Sequence, residues 1–224
     1  MSRRSIFLSL ALLSTVIVAG ITMARRNAVT VRTALAADAA GSAHGARTAS
    51  SAQIAVLAGG CYWGVESVFD HVRGIRSVTS GYAIPITAEG DRFEGAAEAV
   101  RIEYDTSVVS YRQLLDIFFS VVHDPTQLNR QGPDVGPSYR SIVFADGDQQ
   151  RGVVRAYIDS LGGARVYPRP IVTRIAALQS FEPADPSQQH YAERHPYAPY
   201  IVINDVPKVK ALKKRFPALY RERR

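Results

Sequence analysis

Over about 170 residues the apolar pattern switches between a period of two and a period near 3.6, without an internal repeat. A segment patterned for one element does not bury its apolar residues as the other, so this alternation constrains the fold more than any other feature. The short apolar run "QIAVLAGG" (53–60) ends at paired glycines and predicts a buried strand entering a turn. Val65, Val68, Phe69 and Val72 then fall on one face of a helix. "RSVTSGYA" (76–83) predicts a short strand, and "EAVRIEYD" (98–105) one with Val100, Ile102 and Tyr104 on one face and Arg101 and Glu103 on the other. "SYRQLLDIFFSVVHDP" (110–125) predicts a helix capped by Ser110 and stopped by Pro125. A strand over 139–145, a helix over 146–163 closing at Gly162-Gly163 and a strand over 171–178 follow, and 206–224 reads as a basic helix or a loose arm. The pattern describes one α/β or α+β domain.

The formal net charge of +7 is unevenly placed. Arg3, Arg4, Arg25, Arg26, Arg32 and Arg47 stand against Asp38 alone in residues 1–50, which leaves 51–224 at about +2 and gives no basic surface for nucleic acid. Residues 1–24 read as a signal peptide or N-terminal membrane anchor: a charged start precedes nineteen uncharged, mostly apolar residues (6–24). Residues 25–50 read as a low-complexity Ala/Ser/Thr/Gly linker, in which "ALA" at 34–36 resembles a cleavage site. Cleaved and anchored forms both remain open, and either puts the domain of residues 51–224 outside the cytoplasm, exported or periplasmic. That domain holds the chain's one cysteine, Cys61, which excludes an internal disulfide and a four-cysteine zinc site. Cys61 is then either a buried filler or a reactive thiol.

"AGGCYWG" (58–64) sets Cys61 at a helix start, where unpaired N–H groups and the helix dipole favour thiolate and lower the thiol pKa. Tyr62 and Trp63 either wall the sulfur or belong to the core. Glu98 shares the parity of Val100, Ile102 and Tyr104. If that face is buried, desolvation raises its pKa and keeps it protonated, as a general acid requires; if the strand end frays, it is solvated. The polar loop "HDPTQLNRQGPDVGPSYRS" (123–141) lies between two apolar elements and offers Asp134 and Tyr139, with His123 read as a helix cap rather than a base.

"GGCYWGVESVF", "GYA", "AEAVRIEYD" and "HDPTQLNRQGPDVGPSYRSIVF" resemble, in that order, the type A peptide-methionine sulfoxide reductases, over about residues 53–203. The resemblance implies an α+β fold, a two-layer α/β sandwich with a ferredoxin-like core and long irregular C-terminal segments. It implies that Cys61 attacks the sulfur of a methionine S-sulfoxide and becomes a sulfenic acid, that Tyr62 and Trp63 receive the substrate methyl, and that Glu98 supplies a proton to the sulfoxide oxygen. Tyr82 and Tyr139 would donate hydrogen bonds to that oxygen and Asp134 would organise the site. No bound cofactor or metal is implied. The C-terminal tail has no resolving cysteine, so an external thiol is expected as reductant: a thioredoxin-like protein, glutaredoxin or a small thiol. The substrate is oxidised methionine in proteins or free, and a monomer is expected. Ile84-Pro85 replaces the usual Gly-Gly after "GYA", Ala96 a usual histidine and Ser187-Gln188 a usual Tyr-His pair, while His190 and His195 read as surface residues without acidic partners. The competing readings are a silent binding module for oxidised methionine or a partner peptide, and a thiol peroxidase. The peroxidase would need a cation beside the thiol, and no Arg or Lys lies within 53–72.

Overall fold

The computed structural model describes residues 52–86 and 95–223, so the N-terminal segment and linker lie outside the described residues. Along the chain run β1 (Ala52–Gly59), α1 (Tyr62–Asp70), β2 (Ile75–Ile86), β3 (Ala97–Asp105) and α2 (Tyr111–Ile117), which continues into a π-helical turn, Phe118–Val122. A two-residue hairpin, β4 (Arg130–Gln131) and β5 (Asp134–Val135), and a 3₁₀ turn (Pro137–Tyr139) occupy the long loop. Then come β6 (Ser141–Phe144), α3 (Gly147–Gly163), β7 (Arg174–Pro183), the short α4 (Tyr191–Arg194), a second π turn (Ile201–Asp205) and α5 (Val206–Arg215). Among the described residues no helix is long and apolar enough to cross a membrane.

The mixed α/β character matches the alternation in the sequence, but the ferredoxin-like sandwich is corrected. The main sheet closes on itself in the order β1-β3-β2-β7-β6. Closure works because β1 and β7 each use two neighbours. β1 pairs antiparallel with β3 from Ala52 to Leu57 and with β6 from Val56 to Gly59, while β7 runs parallel to β6 at Arg174–Ala176 and antiparallel to β2 from Ala177 onward. One face of the sheet carries small residues, with Ala58, Ala83, Ala97, Ala99 and Ala176 clustered with Val56, Ile142 and Phe144. Small side chains let five strands draw together around a filled interior, where two large-residue faces would hold an open sheet flat.

The opposite face holds the main core. Leu57, Val100, Ile102 and Tyr104 pack with Val65, Val68, Phe69 and Val72 of the α1 segment and with Leu114, Leu115 and Phe118. The expected parity of β3 is therefore the buried one, and each of Val100, Ile102 and Tyr104 is fully buried.

Several boundaries differ from expectation. α2 opens as expected on Ser110, whose side chain accepts from the Gln113 N–H while Gln113 bonds back in a capping box. It widens into the π turn and ends at His123, two residues short of Pro125. The carbonyls released there are taken by the capping His123 and by two distant groups: Phe118 O by His123 Nδ1 (3.0 Å), Phe119 O by the Tyr167 hydroxyl and Ser120 O by Arg215 (2.6 Å). β2 runs on through Pro85, with a register shift against β7 between Ile84 and Pro85 that accommodates a residue lacking a donor. The tail is a helix with Leu212 fully buried. Beyond it, Arg73 N donates to Leu219 O (2.7 Å), Arg221 N to His71 O (2.8 Å), and Val72 bridges Tyr220.

Candidate active site

β1 delivers the chain to α1 through Gly60, whose φ of +98° is open to glycine and strained for other residues, and where a Cβ would stand 2.6 Å from Gln131. Cys61 follows as the N-cap of α1, 8% exposed. One turn on, Gly64 admits the Asp205 carboxylate against the helix, since a Cβ there would stand 2.1 Å from Asp205 Oδ1.

β3 and β2 bring Glu98 and Tyr82 opposite each other in register, on the face that meets α1. Glu98 Oε2 accepts the Tyr62 N–H at 3.1 Å. The Tyr62 hydroxyl lies 3.4 Å from that of Tyr82, and the two rings meet edge to face at 5.8 Å. The Tyr200 hydroxyl donates to Asp134 Oδ2. Tyr139, at the end of the 3₁₀ turn, lies within the field of Glu98, Asp134, Cys61 and Tyr82. Trp63 stacks on Tyr191 (ring centroids 4.0 Å), meets Tyr200 edge-on (5.7 Å) and donates its indole N–H to Gln188 Oε1 (3.2 Å). The structure thus gathers Cys61, Tyr62, Trp63, Tyr82, Glu98, Asp134 and Tyr139 into one region.

The electrostatics correct one expectation. Burial, then the charges of Glu98 and Asp205, push the Cys61 thiol up to about 12, although the Trp63 N–H and the Tyr200 hydroxyl at the sulfur pull downward. The helix start does act in the expected direction, but desolvation and two nearby carboxyls outweigh it. Burial also raises Glu98; Asp134 adds to this, while hydrogen bonds from the Tyr62 N–H and the Cys61 thiol oppose it. Burial and the bond to Asp134 raise the Tyr200 phenol well above its usual range, so it stays a donor. Buried Cys61 and half-buried Glu98 are therefore hydrogen-bonded neighbours able to pass one proton between them, with phenolic groups close by.

Sequence reasoning passed over Tyr200 and Asp205, which touch or face Cys61, and Tyr191, which holds Trp63 together with Gln188. The available signal was compositional: "YAERHPYAPY" (191–200) sets three tyrosines in a stretch without core periodicity. His123 is a cap, as read: Nδ1 meets the Phe118 carbonyl and Nε2 lies 2.7 Å from the Ser141 hydroxyl, so both ring nitrogens are engaged away from Cys61. His190 departs from its reading as a surface residue without acidic partners, because its Nδ1 lies 2.9 Å from Asp70 Oδ2.

Residues 53–219 match the family model described as peptide methionine sulfoxide reductase. The chain belongs to this family. A peptide methionine sulfoxide reductase MsrA 2 of Mesorhizobium japonicum is 48% identical over 184 residues, covering 79% of this chain and 94% of that protein. The MsrA of Natronomonas pharaonis is 45% identical over 168 residues, 72% of this chain and 94% of that one. Among solved structures, Mxr1 of Saccharomyces cerevisiae in reduced form (27% identity, 66% of this chain and 87% of that chain) aligns with a TM-score of 0.57. Methionine sulfoxide reductase A of Corynebacterium diphtheriae (28%, 69% and 81%) aligns with 0.54. As a peptide methionine sulfoxide reductase, the chain is an oxidoreductase. Gln188, one of the departures named from the sequence, reaches the site through Trp63.

Proposed function

We propose that Cys61 is the nucleophile of this peptide methionine sulfoxide reductase, that Glu98 relays its proton, and that Tyr82 and Tyr139 hold the oxygen of a methionine S-sulfoxide. The observation carrying this reading is the pairing of a buried thiol with a half-buried carboxyl group on the face that also presents Tyr82. A sulfoxide oxygen leaves sulfur only as it gains a proton, and donors aimed at it stabilise the charge that develops. Cys61 Sγ attacks the sulfoxide sulfur while its proton passes to Glu98 and on to the oxygen. The sulfur–oxygen bond of the substrate breaks and one forms on Cys61, two electrons moving from the cysteine to the methionine sulfur. The products are methionine and a Cys61 sulfenic acid. Restriction to one sulfoxide epimer, here S, is a property of this reductase class.

The chain has no second cysteine, so the same reading makes the reductant external. One thiol condenses with the sulfenic acid, releasing water and leaving a mixed disulfide, and a second thiol frees Cys61. A thioredoxin-like protein, glutaredoxin or small thiol each meets that need. The charged start and apolar run of residues 1–24 support a domain, residues 51–224, that works outside the cytoplasm behind a signal or anchor.

The test is a single turnover of the chain on an S-sulfoxide peptide without added thiol, beside Cys61→Ser. We expect one methionine per chain, a trappable sulfenic acid, and no product from the variant. A folded wild-type chain yielding no methionine would overturn the reading in favour of a binding module.

A further inference from the structure

At the far end of α1 from Cys61, Glu66 and Asp70 project one turn apart toward the turn between β7 and α4. There His190 adopts a left-handed backbone, φ +50°, uncommon for a non-glycine residue. This places its N–H on Glu66 Oε2 (2.8 Å) and its Nδ1 2.9 Å from Asp70 Oδ2 and 3.5 Å from Glu66 Oε1. Glu66 is 1% exposed, and its Oε1 has no well-formed hydrogen bond, although the Ser80 hydroxyl lies near the carboxyl group. Arg223 reaches in from the tail, its guanidinium on Asp70, 3.1 Å from His190 Nδ1 and 3.1 Å from Glu193 Oε2. The cluster faces a cavity of about 340 Å³ walled by Ala192, Pro196, Ile201, Val206 and Val209.

The bonding here is over-subscribed with acceptors. Nδ1 holds either a proton or a lone pair. As a donor it meets one carboxylate and opposes Arg223; as an acceptor it meets Arg223 and faces two carboxylate oxygens. In neither state does Glu66 Oε1 receive a good bond, and an unsatisfied carboxylate oxygen at this depth is costly. A cation at the convergence point satisfies all three atoms at once. Ligand atoms on a four-coordinate zinc ion stand roughly 3.3–3.5 Å apart, given bond lengths near 2.0–2.1 Å. The three atoms here lie within 4.8 Å of one another.

We propose that Glu66, Asp70 and His190 form a binding site for one divalent transition-metal ion of the zinc class, for which the Arg223 guanidinium competes. The cavity gives room for water to complete the shell. Such an ion ties α1 to the segment that carries Gln188 and Tyr191 against Trp63.

The test is calorimetric titration of the full, untagged chain with Zn²⁺ in the Cys61→Ser background, which removes the one thiol. It reads binding rather than turnover, so its outcome is independent of the proposed reaction. We expect one ion per chain, at least tenfold tighter binding in Arg223→Ala and at least tenfold weaker binding in His190→Gln. X-ray absorption of the zinc complex, which needs neither of the last two variants, should show one nitrogen and two carboxylate oxygens. Absence of one-to-one binding, affinity indifferent to His190→Gln in a folded chain, or a shell without that nitrogen would each overturn the proposal.

Discussion

In the proposed relay, the proton shared by Cys61 and Glu98 sets how this site responds to pH. A thiol held up to about 12 by burial and two carboxyls is almost wholly protonated near neutrality. Alkylation by iodoacetamide, which follows the thiolate, should rise about tenfold per pH unit from pH 6 to 9 in the resting chain; a plateau within that range would contradict the burial argument. The single-turnover rate should behave differently. The relay requires one proton on the pair, and the pair keeps it until Cys61 itself ionises, so the rate should stay flat over the same range. Glu98→Gln removes the relay: it should cost about 10²–10⁴ in rate at pH 7, and what remains should climb with pH as the thiolate fraction grows. At this scale the sequence showed the residues and the parity of Glu98. It hid the sign of the thiol's shift, because that depends on Asp205 and Tyr200, over 130 residues away in the chain and placed by a π turn with no periodic signature.

Elements carry their own tests. The Ser110–Gln113 box satisfies donors at the start of α2, so Ser110→Ala should lower stability by about 1 kcal/mol, a melting shift of about 2–4 °C. His123 joins the π turn to β6 as a neutral, buried ring, its pKa pushed down to about 4 by desolvation. Between that value and the ordinary 6.5 the unfolded chain takes up a proton that the folded chain refuses. Stability therefore falls as pH drops through this window, by up to about 3 kcal/mol. His123→Asn should flatten this part of the pH–stability curve in denaturant titrations. Ser110, the α1 stripe and the β3 alternation were all legible as local patterns. The π turn was not, because the partners of its carbonyls, Tyr167 and Arg215, come from other parts of the chain.

For the whole molecule, the decisive event is ring closure, and it rests on pairings no local pattern encodes. The alanines at 83, 97, 99 and 176 were visible, yet their meaning as a narrow interior appears only once β1 and β7 are seen to use two neighbours each. α5 completes the main core through Leu212, fully buried. Leu212→Ala should cost about 2–5 kcal/mol, read in urea unfolding, whereas changes at the exposed lysines of the same helix should be near neutral. The chain's one tryptophan sits not in that core but in the site, between Tyr191 and Tyr200 and bonded to Gln188. Its fluorescence therefore comes from a single place, two residues from Cys61. In the proposed reaction, substrate arrival, sulfenic acid formation and the return of the thiol should each be readable in stopped flow by emission intensity, with no label added and no second tryptophan to subtract.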